Sequence, residues 1–480
     1  MGYHLEPPAP AAQADDSYRL AWITLPLLYI CLQLIMKNRP SSQKSFLKKL
    51  LSKMLSAGEQ ATALLYTLKW LVICVLVGVL AGSASAFFLV ALDWVTNYRE
   101  ANTWIIWLLP IGGFAVGLLY HYYAGRAAKG NNLLLEEIHR PRKVIPFRMA
   151  PLVLLGTLVT HLLGGSAGRE GTAVQMGGAI ADQFTFLFRL RPRDRKILII
   201  TGISAGFASL FGTPLAGAIF GLEVFILGRL RYEALLPSFL AAVIADYVCL
   251  AWGVGHMHFT IPFVPEINAT GIASALGAGA VFGIAGMAFA KSTHFFTQQF
   301  KQHVSYSPFR PLLGGAVIAI AVWGMGTTKY IGLGIPTILQ AFEVAQPWYA
   351  SIVKIVLTAF TLGAGFKGGE VTPLFFTGAT LGNALSGFIP LPMALLAGMG
   401  FVAVFSGATN TPLTCTIMAI ELFGAESSVF MALACVTAYL FSGHSGVYGS
   451  QIIGTPKHLF FGREKGQDIA SVAASRKKRE

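Results

Sequence analysis

The residues equipped for chemistry cluster first at 164–178, GGSAGREGTAVQMGG. Six of these fifteen residues are glycine, and a charged pair, Arg169 and Glu170, stands among them. Apolar segments flank the stretch. A carboxylate in such surroundings costs several kcal/mol unless it is paired, hydrated or protonated. Glycine lets the backbone approach whatever occupies the site. From Ala173 onward the sequence reads as the start of a helix, whose unpaired N–H groups and positive dipole end hold an anion. The chemistry on offer is anion binding beside a titratable glutamate. The competing reading is a tight turn carrying a salt-bridged Glu170.

The elements that would position these residues are membrane helices. The chain has 480 residues, 54% hydrophobic and only 12% charged. A soluble domain carries about twice that charged fraction. The mean hydropathy is +0.62. The net charge of +14 could suggest nucleic acid. The basic residues instead sit in short clusters between apolar segments, at 140–148, 189–196, 229–231 and 476–479. That is the pattern of cytoplasmic loops in a polytopic membrane protein, so no nucleic-acid partner is expected. Five cysteines lie in apolar runs without a CxxC, which argues for packing and against metal sites or disulfides. No EF-hand, Walker or HExxH pattern is present, and no cofactor is expected.

The apolar run at 20–36 contains Pro26 and is barely long enough to span; a basic amphipathic piece at 46–54 follows it. Later apolar stretches are interrupted by Gly and Pro. Two of them, at 197–227 and 391–423, are too long for one span. Broken and re-entrant helices of this kind line cavities in transporters.

The chain also repeats itself. Glu170-Gly171-Thr172 returns as Glu370-Val371-Thr372, 200 positions on. Thr213-Pro214-Leu215 and Glu223 return as Thr411-Pro412-Leu413 and Glu421, 198 positions on. GNNLL (130–134) faces GLGIP (332–336) at an offset of 202. Three motifs in one order at nearly one offset point to two homologous halves with the substrate site at their interface. The expected organisation is an N-terminal extension at 1–60, repeats at 61–255 and 256–460, and a basic tail at 461–480.

GNNLL, GREGT (168–172), GGEVTP (368–373) and GVYGSQ (446–451), in this order, resemble the CLC family of anion channels and proton-coupled antiporters. The resemblance covers about residues 60–460. In detail it is similar to the fluoride/proton antiporter branch. Chloride-type members carry GSGIP where this chain has GNNLL, and a GxFAP-type segment where it has GEVTP. Their proton-coupled members carry two adjacent acids in the segment matching GAIFGLEVF. Glu223 matches the first, and Val224 stands where the proton-path acid would be.

The resemblance implies an all-α polytopic membrane fold of two inverted-topology repeats. It implies that Glu170 is a gating glutamate, competing with the anion and released by protonation. Glu370 would take part in proton coupling. Asn131 stands at the chloride-type serine position, with Asn132 beside it. Fluoride is small and strongly hydrated, so the site must supply strong donors. Asn131, Asn132, the Thr372 hydroxyl and backbone N–H groups near Gly171 and Val371 are the candidates. Tyr448 matches the inner-gate tyrosine. Competing structural readings are a helix cap for Glu370 or Asn131 and an interfacial position for Tyr448. His161 reads as a hydrogen-bonded packing residue. The partners implied are fluoride, protons, the bilayer of a bacterial inner membrane and a second copy of the chain. The runner-up is a chloride-selective CLC channel or exchanger. An intramembrane enzyme using Glu170, Glu370 and His161 would need a nucleophile or metal cluster, and the sequence offers none.

Overall fold

The computed structural model describes residues 41–257 and 259–477; the apolar run at 20–36 lies outside them. The chain falls into two units, Met1–Lys69 and Trp70–Glu480. Seventeen α-helices occur among the described residues. The amphipathic piece expected at 46–54 is helical, inside α1 (Ser41–Ala101). Then come α2 (Leu109–Tyr123), α3 (Asn131–His139), α4 (Met149–Leu162), α5 (Glu170–Leu187), α6 (Pro192–Phe211), α7 (Pro214–Glu223) and α8 (Leu235–Ala251). The sequence of lengths then begins again. It runs α9 (Ala269–His303), α10 (Phe309–Met325), α11 (Ile335–Gln340), α12 (Ala350–Gly363), α13 (Val371–Leu385), α14 (Met393–Thr409), α15 (Pro412–Phe423) and α16 (Ser428–Phe441). A two-residue parallel ladder joins β1 (Ile226–Leu227) to β2 (Ile452–Ile453), and α17 (Ile469–Lys477) ends the described chain.

Four described helical stretches are long and apolar enough to cross a membrane: Tyr66–Ala101, Thr103–Tyr123, Tyr232–Ala251 and Ala269–His303. Most of the remaining helices are shorter. The 197–227 run breaks where Gly212 closes α6 at φ +69°, and the 391–423 run breaks where Asn410 closes α14 at φ +62°. Both are left-handed caps, and Thr-Pro follows each, so neither helix continues.

Close packing of the short helices relies on absent side chains. A Cβ on Gly177 would run into the Gly202 carbonyl, and one on Gly378 into that of Gly400. These two contacts join α5 to α6 and α13 to α14. Small residues let membrane helices approach closely, where dispersion and polar contacts hold them in place of the hydrophobic effect.

The two halves also exchange caps. Glu223, at the end of α7, accepts hydrogen bonds from Leu413 N at 3.1 Å, Thr414 N at 2.8 Å and the Thr414 hydroxyl at 2.7 Å. Glu421, near the end of α15, accepts from Leu215 N at 2.9 Å and Ala216 N at 2.8 Å. Each glutamate thus satisfies orphan N–H groups at the start of the other half's helix, and α7 lies antiparallel to α15. This is the physical content of the 198-residue repeat of TPL and Glu read in the sequence.

Candidate functional site

Two chain segments meet at the centre. Gly168 N donates to Gly369 O at 2.7 Å, and Gly369 N donates to Gly168 O at 2.8 Å. This antiparallel bridge holds the entry to α5 against the entry to α13. A side chain on Gly168 would collide with the Glu170 carboxylate, and one on Gly369 with the Gly171 backbone. The glycines of GREG and GGEV therefore follow from the closeness of the two loops.

Glu170 opens α5 and is 1% exposed. One carboxylate oxygen accepts the Arg169 backbone N–H at 3.1 Å. The other accepts the hydroxyl of Thr372, in the first turn of α13. First-turn N–H groups have no partner within their own helix, so this end of α13 carries positive character. The Glu170 carboxylate is seated at that end. Arg169 adds its charge in electrostatic range. A cavity lined by Arg169, Phe211, Phe259, Thr372, Phe375 and Phe401 adjoins this point. The Phe375 and Phe401 rings stack at 3.8 Å. An aromatic wall of this kind excludes water, and electrostatic interactions strengthen behind it.

Glu370 stands at the N-cap position of α13 without a side-chain capping bond, and lies close enough to Glu170 to feel its charge. Tyr448 is 6% exposed and in electrostatic range of both carboxylates. Val371 and Thr372 are buried beside them. Asn131 begins α3, after Gly130 at φ +58°. Its amide nitrogen lies 3.3 Å from the position a Cβ on Gly171 would take, and its Oδ1 is buried without a hydrogen-bond partner. The structure therefore brings Glu170, Glu370, Gly171, Val371, Thr372, Asn131 and Tyr448 into one locality.

Asn132 differs. Its Oδ1 accepts the Ser450 backbone N–H at 3.1 Å, which ties α3 to the segment carrying Tyr448. That segment is pinned further by Gln451, whose Nε2 donates to Val224 O at 2.9 Å and Thr409 O at 3.0 Å, and whose Oε1 accepts from Asn410 Nδ2 at 2.8 Å. His161 is fully buried, and its Nε2 pairs with Gly168 O at 3.3 Å, bracing the bridge.

Sequence reasoning missed several supports. Thr157 shares a 2.6 Å hydroxyl contact with Thr172 in the first turn of α5. The Gln175 amide lies 3.4 Å from the Cβ position of Gly130. Ser450 and Gln451 position Tyr448. Gln175, Ser450 and Gln451 stood inside quoted motifs, but nothing in their spacing revealed their partners, which for Gln451 lie 41 and 227 residues away.

Residues 112–443 match the family described as voltage gated chloride channel. The chain is 54% identical over 406 residues to the "Chloride/fluoride channel protein" of Pseudomonas syringae pv. tomato, covering 83% of this chain and 90% of that protein. Among solved structures it is similar to a CLC-type fluoride/proton antiporter, with a TM-score of 0.78 and 34% identity over 80% of this chain and 97% of that one. It also shares the fold of a slow cyanobacterial Cl⁻/H⁺ antiporter, with a TM-score of 0.69 at 21% identity over 85% of this chain and 97% of that one.

Proposed function

The chain belongs to the voltage-gated chloride channel (CLC) family of integral membrane proteins, and from that premise we propose that it exports fluoride in exchange for protons. The observation that carries this reading is the Glu170 carboxylate seated on the Thr372 hydroxyl at the start of α13. A carboxylate and a halide cannot both hold that positive point, because like charges disfavour each other at contact distance. Protonating Glu170 neutralises the side chain and frees Thr372 to donate to fluoride. Loss of the proton returns the carboxylate and displaces the anion. One site then couples two ions.

Thr372 supplies a hydroxyl donor, Asn131 an amide donor, and the entries to α5 and α13 supply backbone N–H groups near Gly171 and Val371. Donors fixed behind an aromatic wall replace the water that fluoride sheds. Tyr448 closes the inner side, held by the Asn132–Ser450 bond. Glu370, beside Glu170, relays the proton inward. No acid stands at position 224, and the Val224 carbonyl serves Gln451 instead. The proton route therefore runs through Glu370.

Two inverted repeats, 61–255 and 256–460, carry this site at their junction. The working form is a homodimer in a bacterial inner membrane, where inward proton flow drives fluoride out. The test is flux from fluoride-loaded proteoliposomes, with proton uptake recorded together. Fluoride efflux matched by proton uptake supports exchange. Chloride efflux equal to fluoride efflux would refute the selectivity assigned to Asn131 and Thr372.

A further inference from the structure

Lys354, on α12, is fully buried, and no carboxylate among the described residues forms an ion pair with it. Its ammonium donates to the Tyr330 carbonyl at 3.1 Å and to the Gly332 carbonyl at 2.8 Å. It lies 5.0 Å from the centroid of the Phe376 ring of α13. These carbonyls belong to the second-half loop that answers GNNLL. The loop is tied directly to the entry of α5. Gly332 N donates to Gly165 O at 3.1 Å, and the Ser166 hydroxyl donates to the same Tyr330 carbonyl at 3.0 Å. Ser166 is four residues before Glu170.

Lys354 has cationic company. Arg99 is 7% exposed, packs against Gly332 and donates to the His161 carbonyl at 3.1 Å. His161 lies in electrostatic range of Arg99, Lys354 and Arg169 together. The acids facing this cluster are Glu100, which pairs with Arg99 at 3.1 Å with its side chain 55% exposed, and Glu170 and Asp93, both in range of Arg169. A buried ammonium without a carboxylate is costly, and a neutral donor could satisfy the same two carbonyls. Lys354 and Arg99 lie beyond the Glu170 end of α5, opposite the basic loop at 189–196 into which that helix runs. With that basic loop on the cytoplasmic side, as the positive-inside pattern has it, the two cations face the outer half of the path.

We infer that Lys354 is a positioning residue whose ammonium charge, acting with that of Arg99, keeps the outer approach to Glu170 favourable for an anion. The inference rests on the anion-antiport reading and deepens it. The hydrogen bonds hold the two loops in register, and the charge sets how readily fluoride reaches Thr372.

The test uses the full chain in proteoliposomes, with initial fluoride flux followed against fluoride concentration. Lys354→Gln keeps a donor for the carbonyls and removes the charge; Lys354→Arg keeps the charge. The Gln variant is expected to raise the half-saturating fluoride concentration about tenfold with maximal flux less affected. The Arg variant is expected to stay within about threefold of wild type. A Gln variant with wild-type half-saturation would reduce Lys354 to a strut and overturn the inference. Equal losses in Gln and Arg would overturn it too. If the Gln variant does not fold, Arg99→Gln carries the same test, and unchanged half-saturation there also overturns it. Wild-type protein that moves no fluoride would instead sink the transport reading beneath it.

Discussion

The Thr372 hydroxyl donates to the Glu170 carboxylate across the junction of the two halves. The residues are 202 positions apart in sequence, and each stands in the first turn of its own helix. A charge-assisted bond of this kind contributes about 1.5–3 kcal/mol. It is also the bond that fluoride would take over. Thr372→Val keeps the shape and removes the donor. Fluoride affinity, read by calorimetry on purified protein, should fall about 10- to 100-fold. An unchanged affinity would remove Thr372 from the anion site.

The two asparagines should separate. Asn131 lies against Gly171 with its carbonyl oxygen unpartnered, whereas Asn132 is committed to Ser450. Asn131→Ser should lower the ratio of fluoride to chloride flux. Asn132→Ala should leave that ratio near wild type and lower the melting temperature, because Ser450 N loses its acceptor at a cost of about 1–3 kcal/mol. A selectivity change confined to the Asn132 variant would reverse the assignment.

The exchanged caps make a stability prediction. Glu223→Ala abandons three hydrogen bonds and Glu421→Ala abandons two. Each leaves helix N–H groups unsatisfied, at about 1–3 kcal/mol per group before relaxation. Both variants should melt below wild type in detergent, and Glu223→Ala should melt lower. If Glu421→Ala proved the less stable of the two, the capping account would fail.

Outside the membrane helices, Glu464 accepts Arg476 Nη2 at 2.8 Å and is bonded by His444. Burial alone would raise the Glu464 carboxyl, but these donors outweigh it and hold the group below the usual carboxylate range. A depressed carboxyl stabilises the fold above its unfolded value, about 4.3, and that contribution is lost as pH falls further. The α17 segment should therefore stay protected from protease at neutral pH and loosen in acid, and Glu464→Gln should loosen it already at neutral pH. Protection that persists in the Gln variant would contradict this.

Much of the fold was legible because it is written twice. The GREG and GGEV motifs are contiguous, and their glycines are demanded by a bridge that both must form. The breaks inside the two over-long apolar runs were also marked, since Gly212 and Asn410 each precede Thr-Pro. The supports of the site were not legible. Lys354 sits in an ordinary apolar helix, and its acceptors are backbone carbonyls with no sequence signature. Asn132 is chemically identical to Asn131, and only the fold shows that its carbonyl is spent on Ser450. The CLC resemblance named the candidate site residues. The partners of Asn132, Gln451 and Lys354 required the structure.

The central claim is that one carboxylate couples two ions, and Glu170→Gln tests it most directly. The substitution keeps the size and removes the titration. Fluoride efflux from proteoliposomes should lose its accompanying proton uptake in this variant, while wild type shows both in fixed proportion. A Gln variant that still takes up protons in step with fluoride efflux would contradict the account.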